Sequence, residues 1–176
     1  MSTWIGFLRA VNLGARRKFP AAEVRTCVEA LGFTDVATHI NTGNVRFTTT
    51  MRSRERITEK LEAAFAAERA FDVPVVLLTP AELREVVDSL DEVAAGHDGA
   101  HYVSLLRAEP GADAVAALEG LEFPGERVAV RGRAAHTLMG QDVHRSKLSN
   151  GLVERHAGTA TSRNRTVLTA IAEKWC

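Results

Sequence analysis

The sequence predicts an α+β fold made of tandem ferredoxin-like (βαββαβ) subdomains, with antiparallel sheets and a C-terminal helix. Three observations predict it. Short strand patterns and helical patterns follow the order β-α-β-β-α-β twice, over residues 1–79 and again over 101–176. Tight-turn signals, Asn41-Thr42-Gly43-Asn44 and Arg131-Gly132, sit between the second and third strand patterns of each half. Each half alone would bury only ~60% of its unfolded surface, so the halves are expected to pack on each other, tied by the closing helix.

The elements follow in chain order. Thr3–Val11 reads as a mostly apolar strand, with Arg9 near its end. Residues Asn12 to Lys18 form a loop, and Pro20 fits a first helical position. Val24, Cys27, Val28 and Leu31 recur at helical spacing, and Gly32 stops that helix. Val36, Thr38 and Ile40 lead into the turn, and Val45 and Phe47 lead out at period two. Ser53 caps a helix that keeps its spacing to about Phe71. Val73–Thr79 is the fourth strand, with Pro74 suited to its start or to an edge. Residues 80–100 are a linking helix and loop. The second half then reads His101–Arg107 as strand, Ala112–Leu118 as helix, Glu126–Val130 and Arg133–Leu138 as strands, and Ser146–His156 as helix. Thr159–Thr161 is a short strand, and Val167, Leu168, Ile171, Ala172 and Trp175 make an amphipathic closing helix.

Composition narrows the class. The chain has 176 residues, 45% hydrophobic and 25% charged, with a formal net charge of zero, as in an ordinary globule. Residues 80–126 carry 2 basic against 11 acidic residues, and residues 127–176 carry 9 against 3. Neutrality argues against long tracking of a phosphate backbone and leaves room for a local anion site. No apolar run approaches the ~20 residues of a membrane span. The N-terminus enters a strand pattern without a basic region, unlike a signal peptide. Two cysteines, Cys27 and Cys176, fit a reducing cytoplasm, and no Cys/His spacing suggests a metal site. No cofactor is assigned.

Topology gathers the polar residues. Strands joined by a crossover helix run the same way, so the loop after the first strand and the hairpin after the second leave one end of the sheet. Arg9, Asn12, Gly14, Arg16, Arg17 and Lys18 thus approach Asn41, Thr42, Gly43 and Asn44, beside the start of the first helix. Asn, Thr, Gly and basic side chains around a helix N-terminus suit a phosphate or carboxylate. A second cluster, Thr161-Ser162-Arg163-Asn164-Arg165-Thr166, opens the last helix, with Thr161, Ser162 or Asn164 as its cap. Two arginines there oppose the helix dipole unless an anion or the acidic block at 82–98 offsets them. Gln141 to Lys147 is a third polar loop opening a helix. His39, and His144 with Asp142, are the candidate acid–base groups.

These motifs resemble one family. Phe7-Leu8-Arg9-Ala10-Val11-Asn12-Leu13-Gly14, Ile40-Asn41-Thr42-Gly43-Asn44-Val45-Arg46-Phe47, and Ser146-Lys147-Leu148 followed by Ala160-Thr161-Ser162-Arg163-Asn164-Arg165-Thr166-Val167 are similar in order to the bacterial domain of unknown function 1697. Its motifs read roughly L-R-G-I-N-V-G-G, T-Y-I-x-S-G-N-V and T-R-N-W. Arg9, Asn12, Gly43, Asn44, Arg163 and Asn164 match them. Ala10 replaces the first Gly and Ala15 the last, while His39, Thr42, Ser162 and Arg165 stand for Tyr, Ser, Thr and Trp. The resemblance implies two α+β subdomains and brings no reaction.

The sequence therefore leads to a small anionic ligand, phosphate-bearing or nucleotide-like, on Arg9, Asn12, Gly14, Lys18, Asn41, Thr42, Gly43, Asn44, Lys147, Thr161, Arg163 and Asn164. Alternatives are RNA or single-stranded DNA on a sheet face, an enzyme, and a protein-interaction module. Nucleic acid is not favoured, because aromatics are only 6% and Phe7 and Phe47 read as core. Oligomeric state is left open.

Overall fold

The computed structural model describes residues 1–12 and 17–176. It divides into two compact units, Met1–Ala81 with Trp175, and Glu82–Lys174 with Cys176. Each holds a four-stranded antiparallel sheet, and a helix closes the chain.

The first unit contains β1 (Ser2–Leu8), α1 (Ala21–Ala30), β2 (Thr34–Thr38), β3 (Asn44–Thr49), α2 (Arg54–Glu68) and β4 (Val75–Leu78), with sheet order β2-β3-β1-β4. The strand expected over Thr3–Val11 ends at Leu8, because Ala10 turns to φ +55°. Pro20 caps α1 rather than entering it, and its carbonyl accepts from Glu23 and Val24 N–H. Ser53 Oγ accepts from Arg56 N–H, and α2 stops at Glu68, short of Phe71. Val24, Val28, Ile57, Leu61 and Phe65 pack on Trp4, Val45, Phe47, Val75 and Leu77. Phe33 stacks on Phe47 at 4.9 Å between centroids. Burying one such ring contributes about 2–3 kcal/mol. Ile5, Phe7, Val76 and Leu78, on the opposite face, are buried as well.

The second unit runs through α3 (Pro80–Asp88), α4 (Leu90–Val93), β5 (Ala100–Leu106), α5 (Ala112–Glu119), β6 (Arg127–Arg131), β7 (Ala134–Met139), α6 (Asn150–Ala157), β8 (Ala160–Asn164) and α7 (Arg165–Trp175). Its sheet order is β6-β7-β5-β8, the same pattern as in the first unit. The linking helix breaks into α3 and α4 at Ser89. The helix expected from Ser146 starts four residues later, at Asn150: Val143–Arg145 form one 3-10 turn, and Ser149 Oγ caps α6 by accepting from Leu152 N–H. The last strand is longer than expected and runs to Asn164, whose side chain is the true cap of α7, accepting from Val167 N–H at 2.8 Å. Leu106, Val128, Val130, Ala135 and Ala160 pack with Leu118 and Val153.

Three of the four sheet edges carry the same guard. Glu62 of α2 accepts the Val75 N–H of β4 at 2.8 Å. Glu119 of α5 accepts that of Val130 on β6 at 2.8 Å, and Glu154 of α6 that of Ala160 on β8 at 3.1 Å. The fourth edge, β2, has an irregular register between Thr34 and Ala37, with Asp35 at φ +51°. Capped donors and irregular edges both block pairing with another chain. Among the described residues no helix is long and apolar enough to cross a membrane.

Candidate functional site

The loop end of the first sheet is built around Asn12. Its side-chain NH2 donates to the Phe19 carbonyl at 2.9 Å and to the Asn41 carbonyl at 2.5 Å, while its oxygen accepts from Phe19 N–H at 2.8 Å. One side chain therefore ties the β1–α1 loop to the hairpin. Asn41 Oδ1 accepts from Ala21 N–H in the first turn of α1 at 3.2 Å. Asn44 is buried; its NH2 donates to the His39 carbonyl at 3.0 Å and to Thr42 Oγ1 at 2.8 Å. The amides expected to face a ligand thus hold backbone, and the Asn41 side chain meets the helix terminus that an anion was expected to meet.

This junction is held in unusual backbone geometry. Ala10, Asn12 and Ile40 have φ of +55°, +57° and +48°, a region that asparagine tolerates but that costs alanine or isoleucine about 1–2 kcal/mol. Gly43 has φ +76°, and an added Cβ would lie 2.6 Å from Val11 Cγ2 and 2.7 Å from Leu8 Cβ. Its carbonyl accepts from Leu8 N–H at 2.7 Å. Only glycine fits between hairpin and strand here. Ile40 is 48% exposed on this strained backbone.

Positive charge accompanies the strain. Arg17 donates to the carbonyls of Ala10 and Asp72, each at 2.7 Å, and its guanidinium lies 4.4 Å from the Phe71 ring centroid. Its partners are carbonyls and a ring, and among the described residues no carboxylate pairs with it. Lys18 is exposed, and Arg9 is half-buried with its N–H on the Pro74 carbonyl. Gly14 and Arg16 lie outside the described residues.

The remaining expected residues belong to the second unit. Lys147 is exposed, 5.9 Å from the Phe123 ring centroid. Arg163 is only 8% exposed; it donates to Thr161 Oγ1 at 3.0 Å and to the Ser162 carbonyl at 2.7 Å. Burial lowers its pKa to about 10. The conflict expected of two arginines at one helix start is smaller than the sequence suggests. Arg163 lies within β8, and Arg165, the first residue of α7, pairs with Asp91 of the acidic block at 2.7 Å. His144 and Asp142 form a local cap, with Asp142 Oδ1 accepting the His144 N–H at 3.2 Å. Phe7 and Phe47 are fully buried and offer no ring to a nucleic-acid base.

The model of the family described as "Protein of unknown function (DUF1697)" matches residues 1–136. The chain belongs to the DUF1697 family. Among solved structures, the conserved bacterial protein SP0830 from Streptococcus pneumoniae is similar over 99% of this chain and 98% of its own, with a TM-score of 0.73 and 23% identity. That likeness shows the fold alone. No curated protein matches this DUF1697 chain.

One constellation in this DUF1697 chain was not anticipated. His101 of β5 and His136 of β7 lie nitrogen to nitrogen at 3.0 Å and are almost fully buried. Burial pushes both imidazoles down to about 4; Arg165, His97 and Arg127 add to it at His101, and His101 and Arg131 at His136. A signal was present: His101 alternates with Val103 and Leu105, and His136 with Ala134 and Leu138, so each stands on an apolar face. Among the described residues no group of three or more His, Cys, Asp or Glu could hold a metal ion.

Proposed function

We propose that this DUF1697 chain binds a small anionic ligand, phosphate-bearing or nucleotide-like, at the loop end of its first sheet. We also read residues 1–79 and 101–176 as two ferredoxin-like subdomains joined by residues 80–100, in a cytoplasmic protein. The strand orders β2-β3-β1-β4 and β6-β7-β5-β8 support that reading of the fold.

The observation that carries the ligand reading is Arg17, whose charge is met by two carbonyls and a ring rather than by a carboxylate, beside exposed Lys18. Such charge on a clamped loop gives a fixed positive potential that draws an anion. The strained Ala10 and Ile40 support it, since backbone strain persists where surrounding structure holds it and collects at ligand clamps. In this reading Asn12, Asn41, Gly43 and Asn44 build the rim, Arg9 and Lys18 meet the ligand, Thr42 adds its hydroxyl, and exposed Ile40 offers an apolar contact.

Thermal unfolding against nucleotides, sugar phosphates, polyphosphate and a short single-stranded RNA tests this. A ligand at 100 times its dissociation constant adds ~2.7 kcal/mol, a rise of roughly 5–10 °C for a chain of this size. The rise should vanish in Lys18→Ala and Arg9→Ala. A rise that survives both substitutions moves the ligand elsewhere, and no rise across the panel removes the proposal.

A further inference from the structure

Ser89, at the corner between α3 and α4, donates its hydroxyl to the Val86 carbonyl at 2.8 Å. Its oxygen is then an acceptor for His136 Nε2, 3.3 Å away. His136 therefore carries its proton on Nε2 and leaves Nδ1 as a lone pair. That lone pair faces His101 Nε2 at 3.0 Å, so His101 also carries its proton on Nε2. The chain of hydrogen bonds ends at His101 Nδ1, which is buried and has no hydrogen-bond partner among the described residues.

Every position in this chain is occupied except that last lone pair. A further proton can enter only there, and it would create a buried N–H without an acceptor and a buried positive charge. The charged groups facing His101 are Arg165 at the start of α7, Arg127 on β6, His97 before β5 and one carboxylate, Asp91 on α4. Asp91 is already held by Arg165 at 2.7 Å. His136 is faced by His101 and by Arg131 on β6. The surroundings are thus net positive and oppose the extra proton.

We infer that His101, His136 and Ser89 form an acid-sensitive latch, which holds the α3–α4 corner against the second sheet at neutral pH and releases it when His101 takes up a proton. The corner has further attachments: Arg165 holds Asp91 of α4 at 2.7 Å, and Arg133 of the β6–β7 turn holds Glu82 of α3 at 3.2 Å. Val86, Leu90 and Val93 are buried along it, and Arg127 donates to the Val93 carbonyl at 2.7 Å. These contacts keep the corner tied to the rest of its unit, so release is local. The sign follows from burial. A histidine freed into water takes up its proton near pH 6.5, whereas the buried one does so only near 4. The released form therefore gains on the latched form as pH falls from 6.5 towards 4, and the latch is shut above that window.

The experiment is nitrogen-detected NMR of the imidazoles, with amide hydrogen exchange from pH 7 to 4.5. At pH 7 both rings should show the neutral form protonated on Nε2. On acidification the amides of Val93 and Ala94, bonded to the Ser89 and Leu90 carbonyls, should lose more than tenfold of their protection after correction for intrinsic rates, with β1–β3 unchanged. His101→Gln keeps a donor towards His136 Nδ1 and cannot be protonated, so with only His136 left to take up a proton its corner should lose clearly less protection by pH 4.5 than the parent chain does. A His101 ring that titrates near 6.5 overturns the latch, whether or not the variant folds. So does an equal loss of protection in His101→Gln, or a loss shared by β1–β3.

Discussion

The two sheets carry a hairpin in the same place, between the second and third strand of each unit, and they build it differently. The β6–β7 hairpin is a two-residue turn at Gly132-Arg133, and a Cβ added to Gly132 would meet nothing within 4 Å. The β2–β3 hairpin is longer, is clamped by Asn12, Asn41 and Asn44, and presses Gly43 against Val11 and Leu8. One turn only reverses the chain; the other also fixes the neighbouring loop. The largest expected effect follows from that difference. Gly43→Ala adds a left-handed alanine and a clash within the core, and should cost about 3 kcal/mol or more. Gly132→Ala, at φ +52°, adds only the backbone term of about 1 kcal/mol. Chemical denaturation of both variants measures the gap, and equal losses would break the comparison.

A second contrast concerns where each unit keeps its polar groups. The first has them at a loop end; the second buries His101 and His136 on its sheet. Both imidazoles sit at about 4 in the folded chain because burial disfavours their charge, against 6.5 in the unfolded chain. The unfolded chain binds more protons between those values, so stability is greatest above pH 6.5 and declines as pH falls towards 4. A shift of this size amounts to about 3 kcal/mol for one histidine. Thermal midpoints between pH 7.5 and 4 should fall accordingly, with a shallower fall in His101→Gln. Equal slopes would show that other groups dominate the acid limb.

Asn12→Ala tests the clamp itself. It removes donors to Phe19 and Asn41 and an acceptor for Phe19 N–H. A loss of about 2 kcal/mol is expected, between one net hydrogen bond and the full cost of the unmet groups. Denaturation of Asn12→Ala beside Asn12→Asp, which keeps the acceptor but not the donors, divides the two contributions.

Much of this was legible in the sequence. The Asn-Thr-Gly-Asn turn announced the first hairpin, because few residues other than Gly and Asn tolerate its backbone. The apolar spacing of Ile57, Leu61 and Phe65 announced the buried face of α2. What Asn12 binds was not legible: its partner Asn41 lies 29 residues away, and a ligand-facing amide and a backbone-facing one look alike in sequence. The histidine pair was missed for a related reason. Period two reveals that His101 and His136 share the buried side of their strands, yet their pairing depends on the β5–β7 register, which brings His136 opposite Val103. The start of α6 was misjudged because Ser146 and Ser149 both suit a cap, and Ser146 instead closes its own turn on Leu148 N–H.

The smallest effect is also the one that separates strain from accident. Ala10 stands where the resembled motif has glycine, and its φ of +55° is the conformation that glycine takes without penalty. Its carbonyl accepts from Arg17 Nε at 2.7 Å, so the peptide is held in place by the cation proposed to attract the ligand. Ala10→Gly should relieve the steric term yet loosen the unfolded chain, leaving a gain of no more than about 1 kcal/mol. A gain places the strain in the native loop, as proposed, and predicts that Arg17 keeps its grip on the carbonyl. A loss of stability would mean that the Ala10 methyl packs favourably, and the loop would then be relaxed rather than poised.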